Sequence, residues 1–166
     1  MLAFTIYYSI INYRLDQNGC AAKRPLIIDT KGIHTMEIII SQAQGRVPVT
    51  IMRLKGDLDY LSADDFDAQA RKVVENGAKD ILVDLSGVAF MSSVGIRSLH
   101  QLYDLVHAGE SEEKKAVYQG VLSGTYKAPH FKLSNPTRRV HDTLKTVGLD
   151  MYIDIFGDEQ EAIAAF

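Results

Sequence analysis

Residues 79–86, KDILVDLS, form an almost unbroken apolar run of strand length. A strand that is apolar on both alternating faces requires a sheet covered on both sides, the situation of a central strand in a largely parallel sheet. The text then changes period. From about Ser93 to His107, Ile96, Leu99, Leu102, Tyr103 and Val106 recur at the spacing of one helix face, and Gly109 supplies a stop. A buried strand feeding an amphipathic helix is the repeating unit of an α/β fold, and it fixes the expectation for the rest of the chain.

The surrounding segments fit that unit. MEIIIS, from Met36, and VPVTIMRLKG, from Val47, are β-rich and separated by a Gln-Gly-Arg region, which predicts an opening hairpin. Ser62, with Asp65 three residues on, predicts a helix start; Phe66, Ala70, Val73 and Val74 form its apolar face and Gly77 ends it. PHFKLSN reads as a strand, and Asn135 followed by Pro136 as the opening of a helix carrying Val140, Leu144 and Val147, closed by Gly148. MYIDIF reads as the last strand. Asp158 and Glu161 then form a capping-box-like pair before the final helix. The expected fold is a single α/β domain with a mixed, mostly parallel sheet flanked by helices.

Two stretches stand outside the pattern. Residues 1–35 begin with MLAFTIYYSIINY, which is apolar but lacks the basic leader of a signal peptide, and continue as linker-like sequence. They are expected to be an N-terminal extension outside the fold, which would begin near Met36. Residues 110–128 are charged, glycine-spotted and weakly periodic, and are expected to be an extended connection.

Composition narrows the function. With 166 residues the chain is one domain in size, and a net charge of −3 without a dense basic stripe argues against nucleic-acid binding. A single cysteine, Cys20, excludes an internal disulfide and suits a reducing cytoplasm. No segment approaches the roughly 18 apolar residues of a membrane span. His100 and His107 lack a third ligand, and Asp57 and Asp59 are commoner as turn chemistry than as a metal pair, so neither a metal nor a cofactor is expected. SSVG is not the G-x-S-x-G elbow of a serine hydrolase, and no phosphate-binding loop appears.

The remaining candidate is the corner MSSVG, where the central strand, taken to end at Asp84, gives way to the helix. One serine suffices to cap a helix, a contact worth about 1 kcal/mol. The corner has two, with Ser93 expected at or near the cap. A helix N-terminus also presents free N–H groups and the positive end of the helix dipole. A phosphoryl group on Ser93 would add about −1.5 to −2 charges without unfolding the helix beneath it, and Gly95 would keep side-chain bulk away from that approach.

ILVDLSGVAFMSSVGIRSL, preceded by LKGDLD, resembles the STAS domain family of anti-sigma factor antagonists. Gly56, Asp57, Leu58 and Asp59 match the family's G-x-L-D turn. Asp84, Leu85, Val88, Phe90, Met91, Ser92, Ser93, Gly95 and Ile96 match its second block. The resemblance spans about residues 36–166 apart from 110–128. It implies a non-enzymatic phospho-switch that, unphosphorylated, sequesters a GHKL-type serine kinase acting as an anti-sigma factor. Phosphorylation releases the kinase and a PPM-type phosphatase resets the cycle. The acceptor it implies is Ser93, with Ser92 as the alternative because a serine stands where many members carry aspartate. Asp57, Asp59, Ser92, Val94, Gly95 and Arg97 are the implied partner-binding residues. The competing reading is a non-switching STAS scaffold or transporter-associated subunit in which Ser93 merely caps the helix.

Overall fold

A computed structural model of the chain describes residues 36–108, 120, 124 and 126–166. The expected N-terminal extension, the Gly109 stop and most of the 110–128 connection lie outside the described residues.

Strands β1 (Glu37–Gln44) and β2 (Pro48–Lys55) form the expected antiparallel hairpin. Helix α1 (Ala63–Glu75) leads to β3 (Asp80–Gly87), and α2 (Ser93–Val106) follows. Beyond the connection come β4 (Phe131–Ser134), α3 (Arg138–Thr146), a 3-10 turn (Leu149–Met151), β5 (Asp154–Phe156) and α4 (Glu159–Ala164). The strands lie in the order β1-β2-β3-β4-β5, and all neighbours after the hairpin are parallel.

β3 shows why its sequence is continuously apolar. Ile81, Val83 and Leu85 enter the main core with Phe66 and Ala70 of α1, Leu99 and Leu102 of α2, and Val140 and Leu144 of α3. Leu82 joins a second, smaller core on the other face with Val49, Ile51, Ala162 and Ile163. Three helices thus cover one face and α4 covers the other. The strand runs three residues past Asp84, to Gly87, because Gly87 lacks a side chain: a Cβ there would meet the Leu54 carbonyl oxygen at 2.6 Å.

Asp84 lies in the strand, 4% exposed, and receives the Ser86 amide at 2.9 Å and the Asn135 side-chain amide at 3.4 Å. Arg53 approaches it at 3.7 Å and spends its fork on Glu159 of α4, at 3.0 and 2.6 Å. That bidentate pair fastens the short last helix to the sheet.

Three local expectations need correction. Ser62 occupies the N-cap position of α1 but makes no side-chain cap bond; its hydroxyl is drawn instead into the preceding turn. The opening of α3 is not at Asn135 and Pro136. Asn135 takes a left-handed backbone (φ 51) with its N–H bonded to the Phe156 carbonyl at 2.9 Å, and Thr137 caps the helix through Val140 N–H at 3.4 Å. Val147 closes α3 half exposed, at 48%, rather than on its inner face. The Asp158 cap forms as expected, accepting from Gln160 and Glu161 N–H at 2.8 and 3.0 Å.

Candidate functional site

The C-terminal end of β3 passes through residues 88–91 into α2, and the loop after β2 folds over the same point. Gly56 makes the turn out of β2 with φ 110, a conformation that favours glycine. Leu58 is then fully buried and pairs with Met91 as an isolated parallel bridge. Leu58 N–H donates to Phe90 O and Ser92 N–H donates to Leu58 O, both at 3.0 Å. The Asp57–Asp59 turn and the serine corner are therefore one backbone unit, although 33 residues separate Asp59 from Ser92.

That bridge decides the roles of the two serines. With its N–H held by Leu58, Ser92 adopts an extended backbone (φ −88, ψ 172), the geometry of an N-cap, and its Oγ accepts from Gly95 N–H at 3.3 Å. The cap is thus Ser92, and Ser93 is the first helical residue. Ser93 is exposed, and its side chain has no hydrogen bond to another described residue. Replacing Ser92 with Ala is expected to cost about 1 kcal/mol of stability, read as a lowered urea midpoint, while leaving the fold unchanged.

Charge separates this helix start from those of α1 and α4. α1 carries Asp64 and Asp65 in its first turn, and α4 carries Glu159 and Glu161. α2, like α3, has no acid there, so the positive end of its dipole is uncompensated by its own sequence. Arg97, exposed and four residues beyond Ser93, lies on the same helix face.

The other expected site residues divide by exposure. Asp57 is exposed, Asp59 and Val94 are half-buried, and Gly95 is buried. Asp59 Oδ1 accepts Leu61 N–H at 2.8 Å, so this carboxylate shapes its own turn. Ser62 completes the turn, its Oγ donating to Asp57 O at 2.7 Å and accepting Asp59 N–H at 3.0 Å. Gly95 differs from expectation. It does not clear the approach to Ser93; it lets the first turn of α2 press against Leu58, whose carbonyl oxygen would lie 2.2 Å from a Cβ at this position.

Sequence reasoning missed Tyr60 and Leu61, which are 78% and 66% exposed at the tip of the same loop. The available signal was two large apolar residues in a turn, at spacings that suit neither strand nor helix burial. It also missed Arg139, whose guanidinium lies 4.9 Å above the Phe90 ring beside the corner.

The histidines are engaged within the protein. His100 Nδ1 meets the Tyr152 hydroxyl at 3.0 Å, and His107 Nδ1 meets the Tyr103 carbonyl at 2.8 Å. Burial raises the pKa of both tyrosine hydroxyls, with Asp104 adding to the effect. Among the described residues, no group of three or more His, Cys, Asp or Glu side chains could hold a metal ion. Nor is any described helix long and apolar enough to cross a membrane.

Against known proteins, residues 39–112 match the model of the STAS domain, a stretch that runs from β1 through α2 and includes the serine corner. The structure is similar to an anti-sigma factor antagonist from Mycobacterium paratuberculosis (TM-score 0.59, 20% identity, 79% of this chain and 93% of that one). It is also similar to the Bacillus cell fate determinant SpoIIAA in its phosphorylated form (TM-score 0.52, 19% identity, 76% of this chain and 96% of that one). No curated protein matches the chain. The identities make these likenesses of fold, and the domain match adds the sequence link: residues 39–112 are similar to a STAS domain, and the fold is similar to that of the solved anti-sigma factor antagonists.

Proposed function

We propose that this protein is an anti-sigma factor antagonist that works as a phospho-switch on Ser93. The observation that carries the reading is the division of labour at the corner. Ser92 supplies the cap, so capping does not account for Ser93, which stands exposed at an acid-free helix start. A dianionic phosphoryl group there meets the positive end of α2 and leaves the core below untouched. The relative SpoIIAA has a phosphorylated form on the same fold, which supports bringing this chemistry to Ser93.

In this reading the unphosphorylated protein binds a GHKL-type serine kinase that doubles as an anti-sigma factor, and so frees the sigma factor. The kinase then transfers the γ-phosphoryl group of ATP to Ser93 Oγ, the serine proton is lost, and ADP leaves. The modified serine occupies the space that the donor phosphate held, so rebinding to a nucleotide-loaded kinase brings two anions together. A PPM-type phosphatase returns the protein to its binding form by hydrolysis. The domain contributes no catalytic group, needs no cofactor, contacts neither nucleic acid nor membrane, and acts in the cytoplasm. In this reading Asp57, Asp59, Val94 and Arg97 contact the partner, and buried Gly95 packs the corner against Leu58.

The test is phosphorylation by the purified GHKL serine kinases of the source genome with ATP, followed by mapping of the product. One phosphoryl group on Ser93 is expected. It should be abolished in Ser93→Ala and retained in Ser92→Ala. Absence of label on either serine, with no kinase binding, overturns the reading.

A further inference from the structure

We propose that Tyr60 and Leu61 are the anchor by which the kinase grips this protein, entering an apolar pocket on the kinase that is bordered by lysine and arginine side chains. The inference rests on the phospho-switch reading and deepens it by naming the contact that selects the partner.

Exposure is the first ground. A tyrosine and a leucine side by side, 78% and 66% exposed, form a projecting apolar knob on a domain whose other large apolar side chains are mostly buried. Scattered exposed apolar residues are ordinary, but this pair is adjacent, and its loop is bonded to the corner that carries Ser93.

Rigidity is the second. Leu58 is sunk in the core and bonded to both Phe90 and Ser92. Asp59 holds the Leu61 amide, Ser62 ties Asp57 to Asp59, and Ala63 N–H reaches Asp59 O at 2.9 Å. The knob is presented on a loop that is already ordered. An aromatic side chain held this way forfeits little freedom on binding, which is the condition under which a few residues dominate an interface.

Charge identifies the partner's chemistry. From residue 56 to residue 70 the chain contains Asp57, Asp59, Asp64, Asp65 and Asp67 and no lysine or arginine. None of these carboxylates forms an ion pair with a described residue. A chain with a net charge of only −3 thus places five aspartates within seven residues of the knob in sequence, none of them ion-paired among the described residues. The complementary surface is an apolar pocket with a basic rim, and association with it should slow as salt is raised.

Tyr60→Ala/Leu61→Ala tests the assignment, with phosphorylation of Ser93 by the kinase as the readout. Because the pair does not touch the reacting oxygen, KM for the protein substrate should rise about ten-fold or more while kcat stays within about two-fold. Tyr60→Phe should keep KM within about two-fold of native. The circular dichroism and melting of the double variant should match the native protein, since both side chains are already exposed. An unchanged KM overturns the anchor and leaves the phospho-switch standing. Loss of native self-association in the double variant, seen by sedimentation, also overturns it, because the knob would then serve a second copy of this chain. If no kinase modifies native Ser93, both proposals fall.

Discussion

Gly95→Ala should be among the most damaging single-methyl additions to the domain, lowering stability by on the order of 3 kcal/mol. The added carbon would lie 2.2 Å from the Leu58 carbonyl oxygen, 2.7 Å from Leu58 Cγ and 3.0 Å from Leu58 C. No rotamer change relieves the first contact, because the obstructing atom is backbone. Either the first turn of α2 lifts off or the Leu58 loop withdraws. Withdrawal breaks the Leu58–Phe90 and Ser92–Leu58 hydrogen bonds and carries Asp59 away from the corner. The urea midpoint of Gly95→Ala should fall accordingly. The penalty should persist in a Leu58→Ala background, since trimming the side chain leaves the carbonyl in place. Gly157→Ala is the control: nothing lies within 4 Å of a Cβ there, and its midpoint should stay near the native value. A midpoint for Gly95→Ala within about 0.5 kcal/mol of native would mean that the corner is looser than its packing indicates.

The same glycine shows where sequence reasoning stops. The hairpin, β3 and α2 were legible because periodicity is local: a strand buried on two faces reads as a continuous apolar run, and a helix buried on one reads at its own spacing. The Asp158 cap was legible for the same reason, its acceptors lying two and three residues away. The errors arose where a distant segment decides a local geometry. Which of two adjacent serines caps α2 depends on Leu58, which holds the Ser92 amide and sets its extended backbone. Ser62 is drawn from its helix by the Asp57 carbonyl. Thr137 rather than Asn135 opens α3 because its hydroxyl also donates to Val88 O at 3.1 Å, pinning the helix start to the loop after β3. The corner was singled out by its motif, but its two serines could be told apart only when the two loops were seen bonded together. Tyr60 and Leu61 carried no motif at all, since exposure is a property of the fold.

Ser93→Glu should separate folding from binding, moving them in opposite directions. At the first position of α2 a carboxylate faces unpaired amides and the positive end of the dipole, in a first turn that holds no other acid. Stability should rise by about 0.3–1 kcal/mol at low salt. If Ser93 is the acceptor as proposed, binding to the nucleotide-loaded kinase should fall by about ten-fold or more, because the new charge would lie where the donor phosphates approach and juxtaposed like charges cost several kcal/mol. Ser92→Ala should show the converse, with stability lowered through loss of the cap and kinase affinity nearly kept. Calorimetric titration against the kinase, paired with urea melts of both variants, reads the two effects independently. Should Ser93→Glu weaken the fold and Ser92→Ala abolish binding, the roles of the two serines would be reversed. Should Ser93→Glu bind as the native protein does, charge at this corner would not govern the partner.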